Sequence, residues 1–287
     1  MSKAPLARSL AEYKAKFIDV SEADYQAAIG GEDAVISSSP FLFTKRETMT
    51  QNSYSLAELV IAACAEVWRS DGEVMATGIG PLPRIGAGLA KLSFAPAIQT
   101  TDGECFYTSE PVGPGKRTAE PEFEGIANYD RVFSALWSGR RHALVGPVQI
   151  DRFGQANISV IGDHKKPKAA MLGARGFPGN SISHPNSFFF ASHNKRAFVE
   201  GEVDFVCMAG YNPARYRNGA PPQGLDLRQI ITNLCVMDFG GPDHQIRVIS
   251  LHPGVTFEEV QDNTGFPLAK VEGEIPPPLH LRLSNWT

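Results

Sequence analysis

Residues 55–104 read SLAELVIAACAEVWRSDGEVMATGIGPLPRIGAGLAKLSFAPAIQTTDGE. Ser55-Leu56-Ala57-Glu58 has the form of a capping box, in which serine and glutamate satisfy the first free N–H groups of a helix. Behind it Leu56, Leu59, Val60, Ala63, Cys64 and Val67 fall on one helical face, and Asp71-Gly72 stops the run. Glu73 to Thr77 reads as a short strand and Gly78-Ile79-Gly80-Pro81 as a turn. Leu82, Ile85, Leu89 and Leu92 then mark a second helix. Ala97 to Thr100 reads as a second strand, ending at Thr101-Asp102-Gly103-Glu104. This alternation implies an α/β fold, an open mixed sheet flanked by helices, with functional turns at strand carboxyl ends.

Downstream, Val132, Phe133 and Leu136 make a short helix closed by Gly139. Strands are expected over 143–150, 156–161, 196–200, 203–208, 230–239 and 245–251, the last two forming a hairpin around Gly240-Gly241-Pro242. Thr256-Phe257-Glu258-Glu259 opens another helix, which Gly265 would end. Pro276-Pro277-Pro278 reads as a surface polyproline tail. One domain over residues 54–287 accounts for this pattern better than two. Residues 1–53 read as an extension, with a short helix after Ser21-Glu22-Ala23-Asp24 and an apolar knot at Pro40-Phe41-Leu42-Phe43.

The 287 residues carry a formal net charge of -4, so no global field draws the chain to nucleic acid or anionic membranes. No apolar stretch approaches a membrane span, and the amino terminus has no signal-like apolar core. Cys64, Cys105, Cys207 and Cys235 form no C-x-x-C pair, which fits reduced thiols in a cytoplasmic protein. None of the seven histidines has metal-ligand spacing, so no metal site is expected. Phosphate-loop, nucleophile-elbow and H-E-x-x-H motifs are absent, and Pro83 stands where a dinucleotide fingerprint needs its third glycine.

Four features could carry chemistry. Gly78 and Gly80 would let backbone N–H groups approach an anion or developing oxyanion at a helix start, or would simply make a tight packing turn. Asp102 and Glu104, at a strand end, are candidate acid–base groups and also ordinary turn residues. His184 follows the loop Gly176-Phe177-Pro178-Gly179-Asn180 and is either a site residue or a structural hydrogen-bonder. His252, in Leu251-His252-Pro253-Gly254, reads as structural.

Three motifs in order resemble the β subunit of family I CoA-transferases of the glutaconate and 3-oxoacid type, over about residues 54–268. They are Gly78-Ile79-Gly80-Pro81-Leu82-Pro83, Gln149-Ile150-Asp151-Arg152-Phe153-Gly154-Gln155-Ala156-Asn157, and Pro253-Gly254-Val255-Thr256-Phe257-Glu258-Glu259-Val260 running into Thr264-Gly265-Phe266. A narrower stretch, Gly173 to Pro185 together with Asp238-Phe239-Gly240-Gly241-Pro242-Asp243-His244, resembles the β subunit of the heteromeric CoA-thioester hydrolases of bacterial steroid degradation.

The resemblance implies a CoA-transferase-like fold, a CoA thioester as substrate with no permanently bound cofactor, and an α-type partner subunit. Aromatic runs at Phe41-Leu42-Phe43 and Phe188-Phe189-Phe190 are candidate interface segments, the second equally a buried strand. In the transferases a glutamate before a small residue and glycine attacks the thioester. Here Thr101 occupies that place and the carboxylates are shifted, which fits a hydrolase whose main carboxylate the partner supplies. His184, Asp102 and Glu104 remain as catalytic candidates, and Gly78, Gly80, Gly176, Gly179 and Asn180 as substrate or oxyanion contacts. An authentic transferase using Glu104 or Asp102 is the alternative, and a non-catalytic subunit shaping its partner's pocket is a third reading.

Overall fold

A computed structural model describes residues 54–103, 105–112 and 121–278. The extension with its Phe41-Leu42-Phe43 knot, and Glu104, lie outside the described residues. The expected helix–strand–helix opening is present as α1 (Leu56–Glu66), β1 (Met75–Gly78) and α2 (Pro81–Leu92). The Ser55–Glu58 capping box forms as expected: the Ser55 side chain accepts from the Glu58 N–H and the Glu58 carboxylate accepts from the Ser55 N–H. A hairpin follows, β2 (Thr100–Thr101) and β3 (Phe106–Thr108), extended by β4 (Phe123–Ile126) into a three-stranded sheet. Asn128 caps the next helix, α3 (Tyr129–Trp137).

The main sheet has seven strands: β1, β5 (Arg141–Val145), β10 (Asn186–Phe190), β11 (Leu227–Thr232), β12 (Cys235–Asp238), β13 (Arg247–Leu251) and β14 (Ala269–Lys270), in that spatial order. The first four are mutually parallel, β11–β12–β13 antiparallel, and β14 parallel to β13. Between β5 and β10 lie two small two-stranded ladders and α4 (Phe177–Ser183): β6 (Gln149–Ile150) with β7 (Ala156–Asn157), and β8 (Val160–Ile161) with β9 (Ala169–Ala170). After β13 comes α5 (Phe257–Asp262), capped by Thr256 as expected and ending before Gly265.

The central strands are apolar on both faces because both faces are covered. With a period of two, Ala143, Val145, Phe188, Phe190, Ile230 and Met237 enter one core, and Leu144, Phe189, Ile231 and Val236 enter the other beneath α1 and α2. Phe188-Phe189-Phe190 is therefore a buried strand and not an exposed interface segment. Exposed aromatics among the described residues include Tyr129, Phe133 and Trp137, one turn apart on α3 and stacked at 6.3 and 5.5 Å between ring centres. The surface of α2 also departs from expectation. Its small-residue side, Gly86, Ala87 and Ala90, packs inward, while Ile85, Leu89 and Leu92 face outward.

Other expectations are corrected. Residues 196–200 and 203–208 are not strands; each makes a single bridge, Phe198 to Ile150 and Met208 to Ala156. The apolar run 230–239 is two strands, because Thr232 Oγ1 accepts from the Leu234 and Cys235 N–H groups and turns the chain back. The Gln149–Asn157 motif forms a buried polar knot. Gln149 Oε1 accepts from Asn157 Nδ2 (2.7 Å) and the Asp204 N–H, and Asp151 Oδ1 accepts from the Phe153 and Gln155 N–H groups.

A second buried network ties the centre of the sheet to the loop before β1. His142 on β5 bonds Asp71 through Nδ1 (2.5 Å) and Ser187 Oγ on β10 through Nε2 (2.9 Å), while Arg228 on β11 pairs with Asp71. Ser187 and His142 are fully buried, so this Ser–His–Asp chain reaches no substrate.

Candidate active site

Gly78 ends β1, the outermost strand of the parallel half of the sheet, and the chain swings directly into α2. A Cβ at Gly78 would lie 2.3 Å from the Pro83 carbonyl oxygen, and Gly80 has φ +107°, so this turn requires glycine twice. The Ile79 N–H is taken by the Leu144 carbonyl, and Pro81 and Pro83 have no N–H. Gly80 and Leu82 thus supply the backbone donors at the start of α2 that no described residue accepts from, where the helix dipole is positive.

This turn lines a cavity of about 510 Å³, bounded by β1, the first turns of α2, the β2–β3 hairpin, Pro111-Val112 and the start of α3. Among the described residues, two arginines line it. Arg84 clasps the rim, donating from Nε to the Val112 carbonyl and from a terminal nitrogen to the Asp102 carbonyl, both at 2.8 Å. Arg141, at the start of β5 beside Met75, donates from Nε to Thr77 Oγ1 (3.0 Å) and from a terminal nitrogen to His184 Nε2 (3.4 Å). Burial lowers the guanidinium to about 10, which leaves it charged at neutral pH.

Of the residues singled out in the sequence, Gly78 and Gly80 line the cavity, joined by Thr101 and Gly103. Asp102 is buried and faces its own turn: Oδ1 accepts from the Cys105 and Phe106 N–H groups, both at 3.0 Å. It braces the β2–β3 hairpin. His184 sits one bond behind the cavity, against Arg141. Its Nδ1 donates to the Pro185 carbonyl (2.9 Å), which leaves Nε2 as acceptor, and burial lowers its pKa to about 4, so the ring is neutral. Gly176 is the N-cap of α4, Gly179 and Asn180 lie within that helix, and none of the three lines the cavity. His252 is structural, donating from Nε2 to the Thr232 carbonyl.

Sequence reasoning missed Thr77, Arg84 and Arg141. A signal for Arg141 was present: a charged residue opening the run Arg141-His142-Ala143-Leu144-Val145, whose apolar character implies a strand buried on both faces.

No protein-family profile matches the chain. The cholesterol ring-cleaving hydrolase IpdB subunit of Mycobacterium tuberculosis (strain ATCC 25618 / H37Rv) is 43% identical over 210 residues, which cover 73% of this chain and 83% of that one. A subunit of the 3-oxoadipate CoA-transferase of Pseudomonas knackmussii is 33% identical over 236 residues, 77% of this chain and 86% of that one. This chain belongs to the β-subunit family of CoA-transferase fold that these two proteins share. The crystal structure of Rhodococcus jostii RHA1 IpdAB superimposes with a TM-score of 0.71 at 39% identity, covering 81% of this chain and 93% of that one. The open mixed sheet read from the sequence is thus the CoA-transferase fold. Among the described residues no helix is long and apolar enough to cross a membrane.

Proposed function

We propose that this chain is the β-type half of a heteromeric hydrolase that opens a ring of a CoA thioester in steroid catabolism. One observation carries the reading: Thr101, which by the family resemblance occupies the strand-end place of the transferase glutamate, lines the cavity. The attacking water is then activated by a carboxylate of an α-type partner. Hydroxide adds to a ring ketone that lies β to a second carbonyl. The resulting alkoxide collapses, the C–C bond breaks, and its electron pair passes to the neighbouring carbon as an enolate, which takes up a proton. The product is a ring-opened carboxylate that keeps its CoA thioester. In this reading the Gly80 N–H group and the Arg141 guanidinium, both of residues lining the cavity, donate to the oxygen on which negative charge develops.

The stacked and exposed Tyr129, Phe133 and Trp137 support assembly with a partner, because contiguous apolar surface on a folded chain marks an interaction site. CoA thioester chemistry and four free cysteines agree with a cytoplasmic enzyme. Co-expression with the α-type subunit is expected to yield ring hydrolysis, with the isolated chain nearly inactive. Efficient exchange of CoA onto acetate or succinate by the assembled enzyme would overturn the hydrolase assignment. The 33% identity to a CoA-transferase subunit keeps the transferase reading as the alternative. It requires an enzyme–CoA thioester on this chain, trappable with borohydride or hydroxylamine.

A further inference from the structure

The cavity holds a buried positive charge that no group of the described chain balances. Arg141 is 9% exposed, and its side-chain partners are a threonine hydroxyl and a neutral imidazole. Four other arginines among the described residues have carboxylates: Arg69 pairs with Glu66, Arg215 with Glu202, Arg228 with Asp71 and Asp226, and Arg247 with Asp238. Leaving a guanidinium buried without a counter-ion is unfavourable, so a fold that does this at the wall of a cavity is arranged to receive an anion there.

We propose that Arg141 is the anion anchor of the cavity, binding a carboxylate or enolate oxygen of the substrate where the described residues supply no counter-ion, with His184 as the residue that positions it. The Thr77 and His184 bonds hold the guanidinium from two sides and leave its remaining N–H groups to the ligand. His184 performs this role only as the Nδ1–H tautomer, with Nε2 accepting; a protonated ring would have no lone pair to offer. The enolate source rests on the hydrolase reading above, and the carboxylate source does not.

The test uses the assembled complex with the α-type partner, comparing wild type with Arg141→Met. The substrate is a CoA thioester of a cyclic β-keto acid, and the inhibitor probes are glutarate and its uncharged diamide. If the anchor holds a substrate carboxylate, Arg141→Met raises KM by about 30-fold or more with little change in kcat, and abolishes inhibition by glutarate but not by the diamide. If it holds the enolate, kcat falls by about 100-fold or more with KM nearly constant.

Arg141→Lys keeps the charge but loses the fork, and is expected to fall between Met and wild type, which guards against misfolding of the Met variant. His184→Leu is expected to move the same kinetic parameter as Arg141→Met, and His184→Gln, whose amide oxygen still accepts, to recover most of it. Equal effects of the two His184 variants would overturn the positioning role. Kinetics and glutarate inhibition both unchanged in Arg141→Met would overturn the anchor while leaving the hydrolase reading intact. A complex without ring hydrolysis that still binds glutarate through Arg141 would sustain the anchor and overturn the hydrolase reading.

Discussion

Adding a single methyl group at Gly78 is expected to damage both the fold and the reaction. The new carbon would sit 2.3 Å from the Pro83 carbonyl oxygen, 2.4 Å from its carbonyl carbon and 2.6 Å from the Arg84 nitrogen. All three are backbone atoms in the first turn of α2, so no side chain can swing aside. Relief to ordinary van der Waals contact requires the start of α2 to shift by about 1 Å, carrying Gly80, Leu82 and Arg84 with it.

Overpacking of this kind costs about 1–3 kcal/mol, which corresponds to a fall in thermal midpoint of roughly 2–12 °C for a domain of this size. A displacement of about 1 Å among positioning groups lowers kcat/KM by roughly 100-fold. The assay is thermal melting of the chain, with kcat/KM measured on the assembled complex. Gly179→Ala is the control: a Cβ there meets nothing within 4 Å, and alanine favours the α4 helix. If Gly78→Ala matches wild type in both readouts, the turn does not position the site and the reasoning fails. A large activity loss in Gly179→Ala would instead restore Gly179 as a substrate contact.

Three further outcomes are expected. Asp102→Asn keeps an acceptor for the Cys105 and Phe106 N–H groups and should hold kcat/KM within about tenfold of wild type, a barrier change of about 1.4 kcal/mol, whereas Asp102→Ala should lower the thermal midpoint; a loss far beyond tenfold in Asp102→Asn would make the carboxylate catalytic. His193 is buried between Thr232 and Thr264, stacked on Phe198 at 3.9 Å, and burial lowers its pKa to about 3. The unfolded chain takes up that proton near pH 6.5. The stability His193 contributes is therefore full above pH 6.5 and is lost as pH falls toward 3, and denaturant titrations from pH 7 to 4 should show a slope that His193→Gln flattens. Asp71 is raised by burial, but its bonds to His142 and Arg228 outweigh this and hold it below the ordinary carboxylate range. Its contribution is present above the unfolded value and lost as pH drops through the folded one, so Asp71→Asn should cost about 1–3 kcal/mol at pH 7 and progressively less in acid, by thermal melting.

What the sequence determined by itself was local. The Ser55–Glu58 cap, the helices at 56–66 and 81–92, the Gly78–Gly80 turn and the antiparallel pairing of β12 with β13 all follow from residues close together in the chain. Short-range hydrogen bonds and side-chain periodicity specify them. The motifs around residues 78–83, 149–157 and 253–266 were sufficient to identify the family.

Tertiary structure decided which of these features face the cavity. Arg141 owes its place to Thr77, 64 residues before it, and to His184, 43 residues after it. No window of sequence contains those partners. Asp102 turned away because the N–H groups of its own hairpin captured its carboxylate, a competition that composition cannot reveal. The apolar residues of α2 point outward because the Gly86–Ala90 side allows closer packing against α1 than leucines would. Periodicity locates an amphipathic helix, but which side becomes buried depends on the shape of the surface it meets.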